Sequence, residues 1–199
     1  MYPKDVDPQS GCRLPLPKRE ELDEAGQRIY DSPVDPKGGS IKGLRGPGGI
    51  LLHSPELSRY TRPLNRYLRH EARLGGRVRE LAILTTAREL DSQFEWAAHE
   101  PEAIAEGIPR EIIDIIKHRK DTSSLDEDEA DAIVIELGRE IFGARKVTPA
   151  TFARSLRQFG RRALVDLVAL MGNYAGTAAL LTAFEMQLDP GQAPPFPLR

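Results

Sequence analysis

The chain has 199 residues, 29% of them charged, with a formal net charge of −2 and acids and bases interspersed along most of its length. That size permits one substantial domain with a real core, and that charge pattern offers no electrostatic footprint for nucleic acid or an anionic membrane surface. Cys12 is the only cysteine, which excludes an intrachain disulfide, a CxxC redox pair and a thiolate metal cage.

Residues 1–17 read as an irregular arm. They carry polar residues and prolines where a secretory signal would need an apolar run, so a cytoplasmic protein is expected. Lys18 to Tyr30 reads as a short polar helix, and the long Gly/Pro loop DSPVDPKGGSIKGLRGPGG follows it; a loop of that length inside a compact domain is often functional. Its GLRGPGG stretch lacks the strand, glycine spacing and lysine of a nucleotide-binding loop, and a plain turn is the simpler reading. Ser54-Pro55 supplies an N-cap and a proline at the first helical position, opening a helix to about His70.

Gly75-Gly76 separates that helix from one over Arg77 to Leu90, whose LAILTTA core is apolar nearly all round and should be buried. Asp91 or Ser92 can cap the next helix, which runs through FEWAAH toward Gly107 with Pro101 kinking or restarting it. Pro109 begins a helix carrying Ile112, Ile113, Ile115 and Ile116, and Ser124 with Glu127 makes a capping box for the one after. There Ala130, Ile133, Val134, Leu137 and Ile141 recur as one apolar stripe.

Thr148-Pro149 starts a helix with Phe152, Leu156 and Phe159, and Gly160 precedes the long final one. That last helix contains an uncharged run from Leu167 to Phe184 with Gly172 and Gly176 in GxxxG spacing. Asp166 and Glu185 at its ends and Asn173 within it favour the central helix of a bundle over a membrane span. No segment has the period-two alternation of a strand. The expected fold class is therefore all-α, with a single helical domain over residues 18–188 and a Pro-rich tail over 189–199 that, like the N-terminal arm, wanders or lies across a neighbouring surface.

Against this apolar background three protic residues stand out. Successive helical residues rotate by about 100°, so Ser92, Glu95 and His99, spaced by three and then four, share one face and can meet a common ligand. A carboxylate four residues from an imidazole raises its proton affinity and orients it. Glu80 shares its side of an apolar helix with Ile83, Leu84 and Ala87, and a buried acid needs a partner. If the helices flanking Asp91 pack antiparallel, Glu80 approaches His99. The plainer alternative makes Glu95 and His99 a surface pair worth a few tenths of a kcal/mol and pairs Glu80 with Arg77 or Arg79. Trp96 is either core or a wall of the same pocket. His53, His70 and His118 lie in no ligand spacing, and HxxxH and HExxH are absent, so no metal is expected.

The stretch RVRELAILTTARELDSQFEWAAHEPEAIAEGIPREII resembles the signature of the carboxymuconolactone decarboxylase family, within the alkylhydroperoxidase D-like all-helical superfamily. The resemblance extends to LRGPGGILLHSPELSRY before it and to DEDEADAIVIELGREIF, TFARSLRQFG and LVALMGNYAGTAALLTAFEMQL after it, covering nearly the whole chain. It implies an alkylhydroperoxidase D-like helical bundle assembled as a homo-oligomer, a dimer, trimer or hexamer. In peroxidase members a glutamate, a CxxC pair and a histidine four residues beyond it form a redox relay; Glu80 and His99 match the glutamate and histidine, but Ser92 and Glu95 occupy the cysteine places. Disulfide chemistry needs sulfur, so the resemblance points to the decarboxylase end of the family, which uses no cofactor. The expectation is a lyase for a small carboxylated lactone or related aromatic catabolite. In it His99 donates or relays a proton, Glu95 tunes it or polarises the substrate, and Glu80 orients the relay. Ser92 and Trp96 contact the substrate, and the Gly/Pro loop with His53 covers it. The alternatives are acid/base work on another carbonyl compound and a small-molecule binding or assembly protein that kept the fold and lost turnover.

Overall fold

A computed structural model of the chain describes residues 2–31, 41–126 and 129–198. Among the described residues every regular element is helical. In chain order they are α1 (Glu24–Tyr30), α2 (Pro47–Leu51), α3 (Pro55–Arg66), α4 (Gly76–Glu89), α5 (Gln93–Ala105), α6 (Arg110–Lys117), α7 (Ala130–Gly138) and α8 (Pro149–Ala183). A 3₁₀ turn at Arg19–Glu21 precedes α1, and single π-helical stretches, Tyr67–Glu71 and Arg139–Ala144, follow α3 and α7. The protein is all-α. Contacts gather its residues into two units, Met1–Glu71 with Ala179–Ala193, and Ala72–Ala178 with Pro194–Arg199.

In the first unit the N-terminal arm is irregular, as its prolines imply, but it is tied down. Arg13 donates its backbone N–H to the Phe184 carbonyl, and Gln187 donates to that of Gly11, both at 2.8 Å. Val6, Ser10 and Cys12 are buried. The expected helix over Lys18 to Tyr30 is interrupted: Leu22 and Asp23 are extended, and the Asp23 carboxylate accepts from the Gly26 N–H at 2.7 Å. An aspartate there does more for the chain as an N-cap than as a helix interior residue. Of the Gly/Pro loop, residues 32–40 lie outside the described residues, and the GLRGPGG stretch is a turn over 43–46 that runs into the short helix α2 at Pro47.

The second unit is built round α4. Every residue from Glu80 to Arg88 is buried, and α4 packs most extensively on α5 and α7. α7 is also buried nearly all round: Ala132, Ile133, Val134, Ile135 and Leu137 each keep 2% exposure or less, so the expected single stripe is a fully enclosed helix. The two approach closely at Gly138, where a Cβ would stand 2.6 Å from Thr85 Cγ2. Glu127 of the expected capping box lies outside the described residues, and α7 opens from Glu129 without a side-chain cap. α5 runs on through Pro101 to Ala105.

α8 presents Leu164, Leu167, Leu170, Met171, Tyr174 and Ala178 to the interior, a helical repeat of three and four. It is long and apolar enough to cross a membrane, but this inward row is buried within the protein, as in the core helix of a bundle. Thr148 caps its start, accepting from the Thr151 N–H at 3.2 Å. In its first segment the buried residues are Thr151 and Ser155, whereas Phe152 is 53% exposed, so the expected apolar row is not the inward one. Thr151 and Thr148 both bond the Glu140 carboxylate, which fixes that rotation. Gly160 breaks α8 at φ 71°, ψ 172°, a region open essentially to glycine alone. A Cβ there would meet nothing within 4 Å, so Gly160→Ala isolates the backbone effect. It is expected to destabilise the protein by about 1–3 kcal/mol in urea denaturation; an unchanged midpoint would show the break to be unimportant.

Candidate active site

The turn from α4 to α5 takes only Leu90, Asp91 and Ser92, with Asp91 in the left-handed region at φ 53°. Its carboxylate holds Arg88 and Arg119, and Ser92 donates its N–H back to the Ala87 carbonyl at 2.7 Å. So short a reversal lays α5 back along α4. Glu80, near the start of α4, thereby meets His99, at the middle of α5: Nδ1 of His99 and Oε2 of Glu80 are 2.7 Å apart. The other Glu80 oxygen accepts from Arg79 Nε at 2.8 Å, and Arg79 also reaches Glu106 at 2.9 Å.

Burial of the group is close to complete. Glu80 has no exposed surface, and Glu95, His99 and Ser92 keep 6% or less. Burial by itself pushes the Glu80 carboxyl up, but the hydrogen bonds and positive charge of His99 and Arg79 outweigh it and hold Glu80 below the usual carboxylate range. Glu80 is therefore an acceptor only. The Nδ1 hydrogen of His99 points to it, and in the neutral ring the lone pair lies on Nε2. That nitrogen faces Glu95, whose Oε2 stands 3.9 Å away, too far for a direct hydrogen bond.

The structure brings Glu80, Glu95 and His99 together. Both partners weighed for Glu80 are informative here: Arg79 binds it, while Arg77 turns to Asp131, with contacts at 3.0 and 2.5 Å. Ser92 sits one turn before Glu95 at the α5 N-cap position, where its side chain makes no capping bond. Trp96 is fully buried, and its Nε1 has no hydrogen-bond partner among the described residues. His53 is placed in the first unit, with its Nε2 2.8 Å from the Pro15 carbonyl.

Two contributors escaped the spacing argument. Tyr174 of α8 packs edge-on to the His99 ring at 5.1 Å, and Glu106 extends the ionic chain by holding Arg79. Tyr174 stands 75 positions after His99, and its only sequence signal is a phenol in the uncharged run of α8. Among the described residues no group of three His, Cys, Asp or Glu side chains could hold a metal ion. Cys12 is buried within the N-terminal arm, its thiol against the Leu14 carbonyl. The chemistry on offer is proton transfer at Nε2 of an imidazole oriented by a carboxylate. Comparisons with protein-family models, with curated proteins and with solved structures return no match for this chain.

Proposed function

We propose that the protein is a cofactor-free lyase of the carboxymuconolactone decarboxylase kind, acting on a small carboxylated lactone or related aromatic catabolite. The observation that carries this reading is the buried Glu80–His99 pair with Glu95 facing the second imidazole nitrogen. Loss of CO2 breaks a carbon–carbon bond and sends its electron pair into the lactone carbonyl as a dienolate. His99, protonated on Nε2 and held through Nδ1 by Glu80, delivers the proton to carbon and returns to the neutral ring. Glu95 polarises the substrate or restores the proton, and Ser92 and the orphaned Trp96 N–H offer donors to its oxygens. Tyr174 fixes the imidazole plane. Small molecules are the partners this chemistry calls for, and a homo-oligomer belongs to the same proposal: Val165 and Val168 leave an apolar face of α8 exposed.

The test is CO2 release from γ-carboxymuconolactone and related lactones by the purified protein. Wild type should turn over at least one of them, and His99→Ala should be slower by about 10²–10⁴-fold. Equal inertness of both would overturn the lyase. A second reading, a binding protein without turnover, is favoured by the near-total burial of the same three side chains. It gains if a lactone raises the melting temperature of the wild type yet releases no CO2.

A further inference from the structure

Among residues 190–198 Phe196 alone is buried. Gly191, Gln192, Ala193 and Pro194 are exposed, as are Pro197 and Leu198, while Phe196 between them keeps only 4% of its surface in solvent. By contacts, Pro194–Arg199 belong with Ala72–Ala178 and not with the residues directly before them. Phe196 fills a socket at the junction of α4 and α5. Its ring meets Trp96 edge to face, with centroids 5.4 Å apart at 87°, and the Arg88 guanidinium lies over it at 4.3 Å. The Gln93 side-chain amide donates to the Phe196 carbonyl.

The Arg88 side of the socket is held by bonds that do not involve the tail. Arg88 donates from Nε to the Lys117 carbonyl at 2.7 Å and pairs with Asp91, bonds that fix the guanidinium plane from within the helical unit. Trp96 has no exposed surface with the Phe196 ring seated on it, and Lys117 Nζ lies 5.9 Å from its ring. The ligand side is stiff as well, since Pro194, Pro195 and Pro197 flank the phenylalanine and limit the conformations it loses on docking.

We propose that this socket is a docking site for the Phe196-Pro197 segment of a second copy of the chain, with the chain's own tail as the resident competitor. All that the socket reads, a ring, the carbonyl next to it and the stiffness of the prolines, lies within residues 194–197. The exposed stretch from Gly191 to Pro194 adds nothing that tells one copy's tail from another's. Exchange of an identical element is a low-cost route to association. The in-chain tail competes through its effective concentration, so exchange grows as the protein is concentrated. The inference does not rest on the lyase reading, because a protein without turnover would exchange tails equally well.

Trp96 is the only tryptophan, so its emission reports the ring seated on it. Full-length Phe196→Ala should emit at longer wavelength than wild type with unchanged helical circular dichroism. A synthetic peptide of residues 190–199 should restore the wild-type emission saturably, and the peptide with alanine for the phenylalanine should bind about tenfold weaker or worse. The deciding mixture is full-length Phe196→Ala with full-length Trp96→Phe, which has a tail but no tryptophan. Recovery of wild-type emission in it comes only from a ring supplied by another copy. Emission that stays that of Phe196→Ala alone, or a peptide that leaves it unchanged, overturns the proposal. Should Phe196→Ala lose helicity, Arg88→Met in the full chain replaces it: its own tail should be loosened, shifting emission to longer wavelength, and unchanged emission overturns the proposal equally.

Discussion

Glu80→Ala is expected to lower the free energy of unfolding by about 3–5 kcal/mol, a large part of the roughly 5–15 kcal/mol that holds an ordinary domain together. Both carboxylate oxygens are engaged, one by His99 Nδ1 at 2.7 Å and the other by Arg79 at 2.8 Å, on a side chain with no exposed surface. Removing it strands two donors. The Arg79 guanidinium, 17% exposed, keeps Glu106 as a partner, but among the described residues His99 Nδ1 has no hydrogen-bond partner besides Glu80. The loss comes from these uncompensated groups more than from any net worth of the ion pair, so a Glu80→Leu, His99→Leu double variant should recover part of it. Urea midpoints of the two variants at constant slope decide the matter. A single-variant loss under about 1 kcal/mol would mean that water reaches the site and replaces the carboxylate.

The same contacts set an acid limit. Because His99 and Arg79 pull the Glu80 carboxyl below its ordinary value against the effect of burial, the unfolded chain binds the proton more readily than the folded one. Stability from Glu80 is therefore complete above the unfolded carboxylate value of about 4.3 and drains away as pH falls through the lower folded value. The gap between wild type and Glu80→Gln should narrow as pH falls below about 4.

How much of this was legible in the residues alone differs from element to element. The burial of α4 follows from LAILTTA having no polar face, and the Glu80–His99 meeting follows from a three-residue reversal between two helices. Both are local inferences. The rotation of the first segment of α8 was not legible, because Phe152 and Leu156 advertise an apolar row while the Glu140 carboxylate, from the preceding turn, captures Thr148 and Thr151 and buries the opposite side. Tyr174 against His99 and Phe196 against Trp96 are pairings over 75 and 100 residues, and periodicity within one helix carries no information about which distant ring will fill a gap. Asp23 misled for a different reason: a charged residue in a polar stretch reads equally as helix surface or helix cap, and only the extended backbone at Leu22 decides.

Glu80→Gln is the substitution that separates orientation from bulk. Glutamine keeps the shape of the side chain and presents either an oxygen or an NH2 group to His99 Nδ1, whereas the carboxylate presents acceptors alone. When the NH2 faces the ring, the imidazole hydrogen moves to Nε2 and the lone pair to Nδ1, turned away from Glu95 and from any molecule bound beside it. The imidazolium also loses the negative charge 2.7 Å away that stabilises it during proton transfer. In the proposed lyase, CO2 release should therefore fall by about 10²–10⁴-fold while a lactone still binds, so the loss appears in kcat more than in KM. Glu95→Gln should act differently. Its carboxylate lies 3.9 Å from Nε2, on the side of the ring that the proposed substrate would take, so its loss should raise KM along with lowering kcat. A Glu80→Gln protein with undiminished kcat and a native melting curve would show that the carboxylate serves the fold and takes no part in moving a proton.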